Sequence, residues 1–334
     1  MSSAIFSLLE RQNEQPWRDS PLLVINPLDD SLAGLDNTEA WSFHAGIASQ
    51  WQAKGRVVYC QATAPDMNQY TQVMLIVAKE KALNHYILEQ LSALPKGATL
   101  WLVGEKRSGV QSLAKKLPES FSKARKTASG NHCQLFSAEH INDAGDPPPL
   151  IDCATHVHYE LNGHSESFTT LPGVFSQTHI DPATLLLLNT LREKPLGHVL
   201  DFACGAGVIT SALHQSAERL TACDVNPMAI AASTMTFSQQ GIKVDLRLAD
   251  GLPDNLEMFD TIISNPPFHT GQNTDYAIAR KFLANARKHL NRGGTLYIVA
   301  NRFLPWAEVI DEGFGHCDVL ADDGRYRVYK AACR

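Results

Sequence analysis

The sequence predicts two tandem α/β domains, each a doubly wound, Rossmann-like seven-stranded sheet, with the first copy degenerate. Three observations carry that expectation. Leu94-Pro95-Lys96-Gly97-Ala98-Thr99-Leu100-Trp101-Leu102-Val103 is echoed by Leu290-Asn291-Arg292-Gly293-Gly294-Thr295-Leu296-Tyr297-Ile298-Val299, at the same point of two similar runs of elements. Two copies are too few for a solenoid, so duplication of a whole domain is the better account. From Gly197 onward, strand, glycine-bearing turn and helix recur, the pattern of a mostly parallel sheet. Between the copies, Asp143-Ala144-Gly145-Asp146-Pro147-Pro148-Pro149 reads as a polar, stiff linker separating residues 1–145 from 151–334.

Composition bounds the possibilities. The chain has 334 residues, 44% hydrophobic and 19% charged, enough for two cores of ordinary size in a soluble protein. No window reaches the ~18 apolar residues of a membrane span, and the first residues lack the basic and apolar regions of a secretory signal. Seven cysteines, odd in number and without a Cys-x-x-Cys pair, fit free thiols in a reducing cytoplasm. A net charge of −6 excludes a simple polycation but leaves local basic surfaces open. Lys106, Arg107, Lys115, Lys116, Lys123, Arg125 and Lys126 form one such cluster around the lone acid Glu119, and Arg280, Lys281, Arg287, Lys288 and Arg292 a smaller one. A solvated helix face explains either; docking of nucleic-acid phosphates is the functional reading of the first.

In the first copy, apolar or β-branched runs predict strands at Leu22–Ile25, Arg56–Cys60, Val73–Val77 and Ala98–Val103. A helix is expected near Ser42–Gln50. A second runs from about Glu80 to Leu94, with Leu83, Tyr86, Ile87 and Leu91 at helical spacing, and Lys96-Gly97 stops it. Ser108 is expected to cap a further helix, and two strands flank Ser129-Gly130-Asn131. After its first strand this copy has Asn26-Pro27-Leu28-Asp29-Asp30, without glycine; after the strand at 73–77 it has Ala78-Lys79-Glu80. It is therefore expected to keep the scaffold and lack a working site.

The second copy opens with a hairpin over 154–170, turning at Asn162-Gly163, followed by a helix with Asp181 at its N-cap and Pro182 at N1. His156 and His158 are explained by alternation on a strand, and no metal is expected. In Asp201-Phe202-Ala203-Cys204-Gly205-Ala206-Gly207, glycines fall where a strand gives way to a helix, allowing close approach to backbone N–H groups. The next strand, Arg219–Cys223, ends in Asp224, placed to accept hydrogen bonds from ribose hydroxyls. A third strand, around Val244–Leu248, ends near Asp250, placed for an adenine amine. Thr210 occupies the third small position of the dinucleotide fingerprint, and Asp201 sits poorly beside a pyrophosphate but well beside a cationic methionine moiety. The expected cofactor is thus S-adenosylmethionine, with a nicotinamide dinucleotide as the competing reading; Asp201, Cys204, Gly205, Gly207, Asp224, Asp250 and Asn265 are its expected contacts.

Ser264-Asn265-Pro266-Pro267-Phe268 closes the argument. It follows the strand Phe259–Ile263, and two prolines end that strand because neither can donate to the ladder. Asn265 Oδ1 and the Pro266 carbonyl then offer two acceptors to a planar –NH2 group, and Phe268 offers a ring to stack on its carrier. Further elements are expected as a helix from Asp275 to Leu290, a strand at Thr295–Ala300, a helix near Pro305–Glu312 and a terminal strand pair turning at Asp322-Asp323-Gly324.

These motifs, with Pro172-Gly173-Val174-Phe175-Ser176 and His269, resemble the small-domain family of nucleic-acid amino-group methyltransferases. The duplication and Val103-Gly104-Glu105-x-Arg107-Ser108-Gly109-Val110 resemble, within it, the small-subunit ribosomal RNA guanine-N2 enzymes. Ala203 departs from the glycine usual there. The resemblance implies class I methyltransferase sheets and methylation of a guanine amine in 16S ribosomal RNA. Asn265, Pro266, Pro267 and Phe268 would form the catalytic turn, the base being flipped into their pocket. It implies a cytoplasmic protein acting on the small ribosomal subunit, with no membrane partner; the internal duplication points to a monomer. The turn alone would equally serve a 23S guanine, an adenine N6 or a protein glutamine N5 amide. A non-catalytic RNA-binding assembly factor is the alternative of another class.

Overall fold

A computed structural model of the chain describes all residues except 1–3, 13–14, 143–144, 162, 193, 253–256 and 267–272, and gives no side-chain burial for 273–278. The chain divides into two compact units, Met1–Cys153 and Ala154–Arg334. The division falls a few residues after the proline-rich segment expected to be a linker. That segment is held by the first unit: Gln90 Nε2 donates to the Pro148 carbonyl at 3.0 Å, and Asp152 N to that of Pro149.

In the first unit, α1 (Ala4–Glu10) precedes β1 (Leu22–Ile25), β2 (Thr38–Trp41), α2 (Ala45–Ala53), β3 (Val58–Tyr59) and β4 (Gln72–Ile76). There follow α3 (Lys81–Gln90), β5 (Thr99–Glu105), α4 (Val110–Ala114), β6 (Arg125–Gly130) and β7 (Cys133–Glu139). The sheet order is β3-β2-β1-β4-β5-β7-β6. Two elements were not expected. α1 is short and its amphipathic face is brief, yet Ile5, Leu8 and Leu9 are buried, and Arg18 donates to the carbonyls of Leu9, in its last turn, and Gln12, just past it. β2 lacks a run of apolar residues because Thr38 and Glu39 supply half of it; pairing with β1 and β3 on both sides makes it a strand. Nor does Ser108 cap α4: Gly109, at φ 83°, takes that position, and Ser108 Oγ donates back to the Glu105 carbonyl.

The second unit begins with the hairpin β8 (Thr155–Leu161) and β9 (His164–Thr170), then α5 (Pro182–Leu191), β10 (Gly197–Phe202), α6 (Val208–Leu213) and β11 (Ala217–Asp224). It continues through α7 (Pro227–Gln240), β12 (Asp245–Leu248), β13 (Phe259–Ser264) and α8 (Asn273–His289). It ends with β14 (Leu290–Asn301), α9 (Trp306–Phe314), β15 (Asp318–Asp322) and β16 (Tyr326–Ala332). The order β12-β11-β10-β13-β14-β16-β15 repeats that of the first unit strand for strand, with the final pair antiparallel in both.

The duplication extends to single hydrogen bonds. Gly97 N donates to the His140 carbonyl and Gly293 N to that of Cys333, at 2.8 and 2.7 Å. His140 N and Cys333 N return the bond to Ala98 and Gly294, each at 2.8 Å. Both glycines have positive φ, 88° and 81°, which explains why the repeated segment keeps them. These are two tandem Rossmann-like folds of one strand order. In the second, Phe259, Ile262, Leu283, Leu296, Ile298 and Tyr329 belong to one buried cluster, fixing β13 and β14 from beneath. The carboxyl ends of β10, β11 and β13 are thereby presented side by side, at the point where the strand order reverses.

Candidate active site

The site is built at the ends of β10, β11, β12 and β13 and at the starts of α5, α6 and α7 in the second unit. After β10 the chain turns through Ala203 at φ 59°, Gly205 at 57° and Gly207 at 78° before entering α6. The alanine that departs from the family pattern therefore holds a left-handed conformation, a cost of roughly 1–2 kcal/mol that a glycine would lower. The two glycines differ in purpose. A Cβ on Gly205 would meet nothing within 4 Å, so the turn is bare towards open space there. A Cβ on Gly207 would lie 2.6 Å from the Phe237 ring, so that position is dictated by α7 packing against the turn.

Asp201 supports this turn from below. It is fully buried at 0% exposure, with Oδ2 accepting from Thr210 N at 3.1 Å and Thr210 Oγ1 at 2.7 Å, while Oδ1 is buried without a partner among the described residues. Burial pushes its carboxyl up to about 7, against the two Thr210 hydrogen bonds, and the charge of Asp224 adds to the rise. Asp201, expected as a direct ligand contact, has no exposed surface and stands behind the turn. Cys204 is likewise buried, its Sγ 3.7 Å from Ser233 Oγ, and burial holds its thiol protonated. Its place is in the packing of the turn.

Asp224 closes β11 and is half-buried. Oδ2 accepts from Gly205 N and Oδ1 from Asn226 N, both at 2.9 Å, which ties the second strand end to the glycine turn. Asn226 caps α7 and donates from Nδ2 to the Gly173 carbonyl at 3.1 Å, so the Pro172–Ser176 segment is drawn to the same edge. Asp250, just past β12, is exposed. Gly205, Asp224 and Asp250 thus mark an open cradle along three consecutive strand ends, with acceptors for hydroxyl and amino donors and no phosphate-binding cation among them. The donor set fits S-adenosylmethionine.

Asn265 follows β13. Both N–H bonds of its amide are engaged, Nδ2 donating to Asp181 Oδ2 and to Thr184 Oγ1 at 2.9 Å each. The amide is thereby fixed in one orientation, and Oδ1 is left buried with no hydrogen-bond partner among the described residues. An unpaired buried acceptor costs roughly 1–3 kcal/mol, so such an atom points to a donor supplied from outside. Asp181 caps α5 as expected, its Oδ2 also accepting from Thr184 N at 3.1 Å. Asn265 and Asp181 line a pocket of about 160 Å³ with Phe175, Ala183, Ala300, Asn301 and Tyr326. That is well below the ~300–1,000 Å³ of sites for a whole drug-sized ligand, and it suits a single ring system. Phe175 is 58% exposed beside it. Pro266 is buried next to Asn265; Pro267, Phe268 and His269 lie outside the described residues.

The structure therefore brings together Asn265, Pro266, Asp201, Cys204, Gly205, Gly207 and Asp224. Sequence reasoning took Asp181 only as a helix cap and did not single out Thr184, Asn301 or Tyr326. No local signal links Asp181 to Asn265, 84 residues later. Where the first unit has the corresponding strand ends, the backbone is closed: Asn26, at φ 58°, donates from Nδ2 to the Ile76 carbonyl, and Asn84 clamps both N and O of Ala78 at 2.9 and 2.8 Å. The seven basic residues are all exposed, on the loops and edge strand after β5. Arg107 pairs with Glu105; among the described residues the other six have no carboxylate partner. His156, on the hairpin, meets Thr169 Oγ1 at 3.0 Å.

Comparison with known proteins agrees with this architecture. The methyltransferase small domain profile matches residues 165–330, and the methyltransferase small domain N-terminal profile residues 7–149. The ribosomal RNA small subunit methyltransferase C of Idiomarina loihiensis is 56% identical over 334 residues, all of both chains. That of Pseudomonas aeruginosa is 38% identical over 93% of this chain and 94% of its own. Among solved structures, a T. thermophilus 16S rRNA N2 methyltransferase in complex with AdoMet and guanosine aligns with a TM-score of 0.84 at 24% identity, covering 99% of this chain and 92% of that one.

Proposed function

The chain belongs to the ribosomal RNA small subunit methyltransferase C family, and on that premise we propose that it methylates the exocyclic N2 amine of a guanine in 16S ribosomal RNA. S-adenosylmethionine is the cofactor, and when bound it supplies an electrophilic methyl group on a sulfonium. Gly205, Asp224 and Asp250 would hold it by backbone approach and by acceptors for its hydroxyl and amino groups, with Asp201 as the buried counter-charge.

The observation that carries the reading is the unpartnered Oδ1 of Asn265. A guanine amine is a poor nucleophile because its lone pair is delocalised into the ring. Acceptance of its two hydrogens by Asn265 Oδ1 and the Pro266 carbonyl localises that pair and aims it. Asp181 and Thr184 keep the amide from turning its NH2 towards the substrate. Alignment then supplies most of the acceleration, as when a bimolecular step is made effectively unimolecular. Phe268 is assigned to hold the flipped base flat, with the Phe175 ring at the same pocket. The first unit is assigned to dock RNA phosphates through Lys106, Arg107, Lys115, Lys116, Lys123, Arg125 and Lys126.

Asn265→Ala tests the assignment. Methyl transfer from labelled donor to small ribosomal subunits should fall by roughly 10²–10³ in kcat, while calorimetric affinity for S-adenosylmethionine changes little. Equal loss of both, or label incorporated into large subunits by the unaltered chain, overturns it.

A further inference from the structure

Resting on the assignment of Asn265 as the amine acceptor, we infer that Asp181 reads the ring N1–H beside that amine and so selects guanine over adenine. Asp181 Oδ2 accepts from Thr184 N at 3.1 Å and from Asn265 Nδ2 at 2.9 Å, whereas Oδ1 makes no hydrogen bond among the described residues. The carboxylate and the Asn265 amide line the same pocket, joined by the hydrogen bond between them. Asp181 Oδ1 and Asn265 Oδ1, on two residues that line one pocket, are thus left as acceptors among the described residues. An ionised carboxylate has no hydrogen to give. This pair is complementary to two adjacent donors on one ring edge, and guanine has them in N1–H and the N2 amine. Adenine offers an amine next to an N1 lone pair, which would face a carboxylate oxygen with no proton between them. A glutamine amide has no ring N–H at all. A site built to accept a hydrogen bond rejects an analogue that lacks the donor by large factors, because the buried acceptor is left unpaired.

The test uses two free nucleosides with the full chain and S-adenosylhomocysteine present. Guanosine carries both donors; 2-aminopurine riboside keeps the amine at C2 but has a lone pair at N1. NMR titration should show guanosine binding at least ~10-fold tighter than 2-aminopurine riboside. Asp181→Asn keeps a capping oxygen for α5 but presents an NH2 where Oδ1 stood, and should level or reverse that ratio. Asp181→Ser, also a good cap, should bring the ratio near one. Unchanged cofactor affinity in either variant certifies the fold. A ratio the same in the variants as in the unaltered chain, or no guanosine binding to the unaltered chain at millimolar concentration, overturns the inference. If Asn265→Ala loses guanosine while the Asp181 variants leave the ratio unmoved, the fault lies with Asp181 alone; if Asn265→Ala keeps both guanosine binding and turnover, the amine assignment itself is lost.

Discussion

At the scale of the residue, two buried oxygens of the site have no hydrogen-bond partner among the described residues, Oδ1 of Asn265 and Oδ1 of Asp201, with different consequences. The first is neutral and independent of pH. The second belongs to a carboxyl raised to about 7 by burial, well above its ordinary 3.8. A raised folded value means that Asp201 stabilises the folded chain below pH ~4 and that this contribution is lost as pH rises through 7. A cationic ligand favours the carboxylate, so its binding should release a proton below pH 7. Affinity for S-adenosylmethionine is expected to weaken by up to about tenfold from pH 7 to pH 6, with calorimetric heats that depend on the buffer. Asp201→Asn keeps an oxygen for Thr210 and should flatten the profile; a steeper or inverted profile would remove Asp201 from cofactor recognition. Sequence reading reached both residues from their types and positions. It missed the clamp on Asn265 because Asp181 already had a sufficient local explanation as a helix cap.

At the scale of the element, the glycine turn after β10 is where strand, helix and ligand space meet. Its two glycines are alike in sequence and in sign of φ, yet they answer to different neighbours. Gly207→Ala should cost about 2 kcal/mol or more, read as a lowered urea midpoint, since the new methyl strikes Phe237 and the backbone is left-handed. Gly205→Ala meets no protein atom and should lower stability less, its larger effect being on cofactor affinity. Equal stability losses would mean that both glycines serve packing. The pattern Gly-x-Gly was legible; the division of labour was not, because Phe237 approaches from a helix 30 residues on. The same limit applies to β2, whose polar first half, Thr38 and Glu39, gains strand geometry from pairing with β1.

At the scale of the whole molecule, two sheets of identical order differ in what lies at their strand ends. The duplication was legible because Gly97 and Gly293 need the same backbone conformation and make the same bond. A first copy without a working site was expected from its missing glycines, and at those strand ends the structure has the hydrogen bonds of Asn26 and Asn84 to the backbone. If the first unit docks RNA, replacing Lys115, Lys116, Lys123 and Lys126 by Gln should reduce the slope of log K against log salt by about 0.7 for each lysine in contact. An unchanged slope would return these charges to a solvated face, with Lys126 alone of the four on the edge strand β6. If the Asn84 clamp at Ala78 keeps the first unit from taking a cofactor, calorimetry with S-adenosylmethionine should find one site per chain, and two sites would mean that the clamp opens.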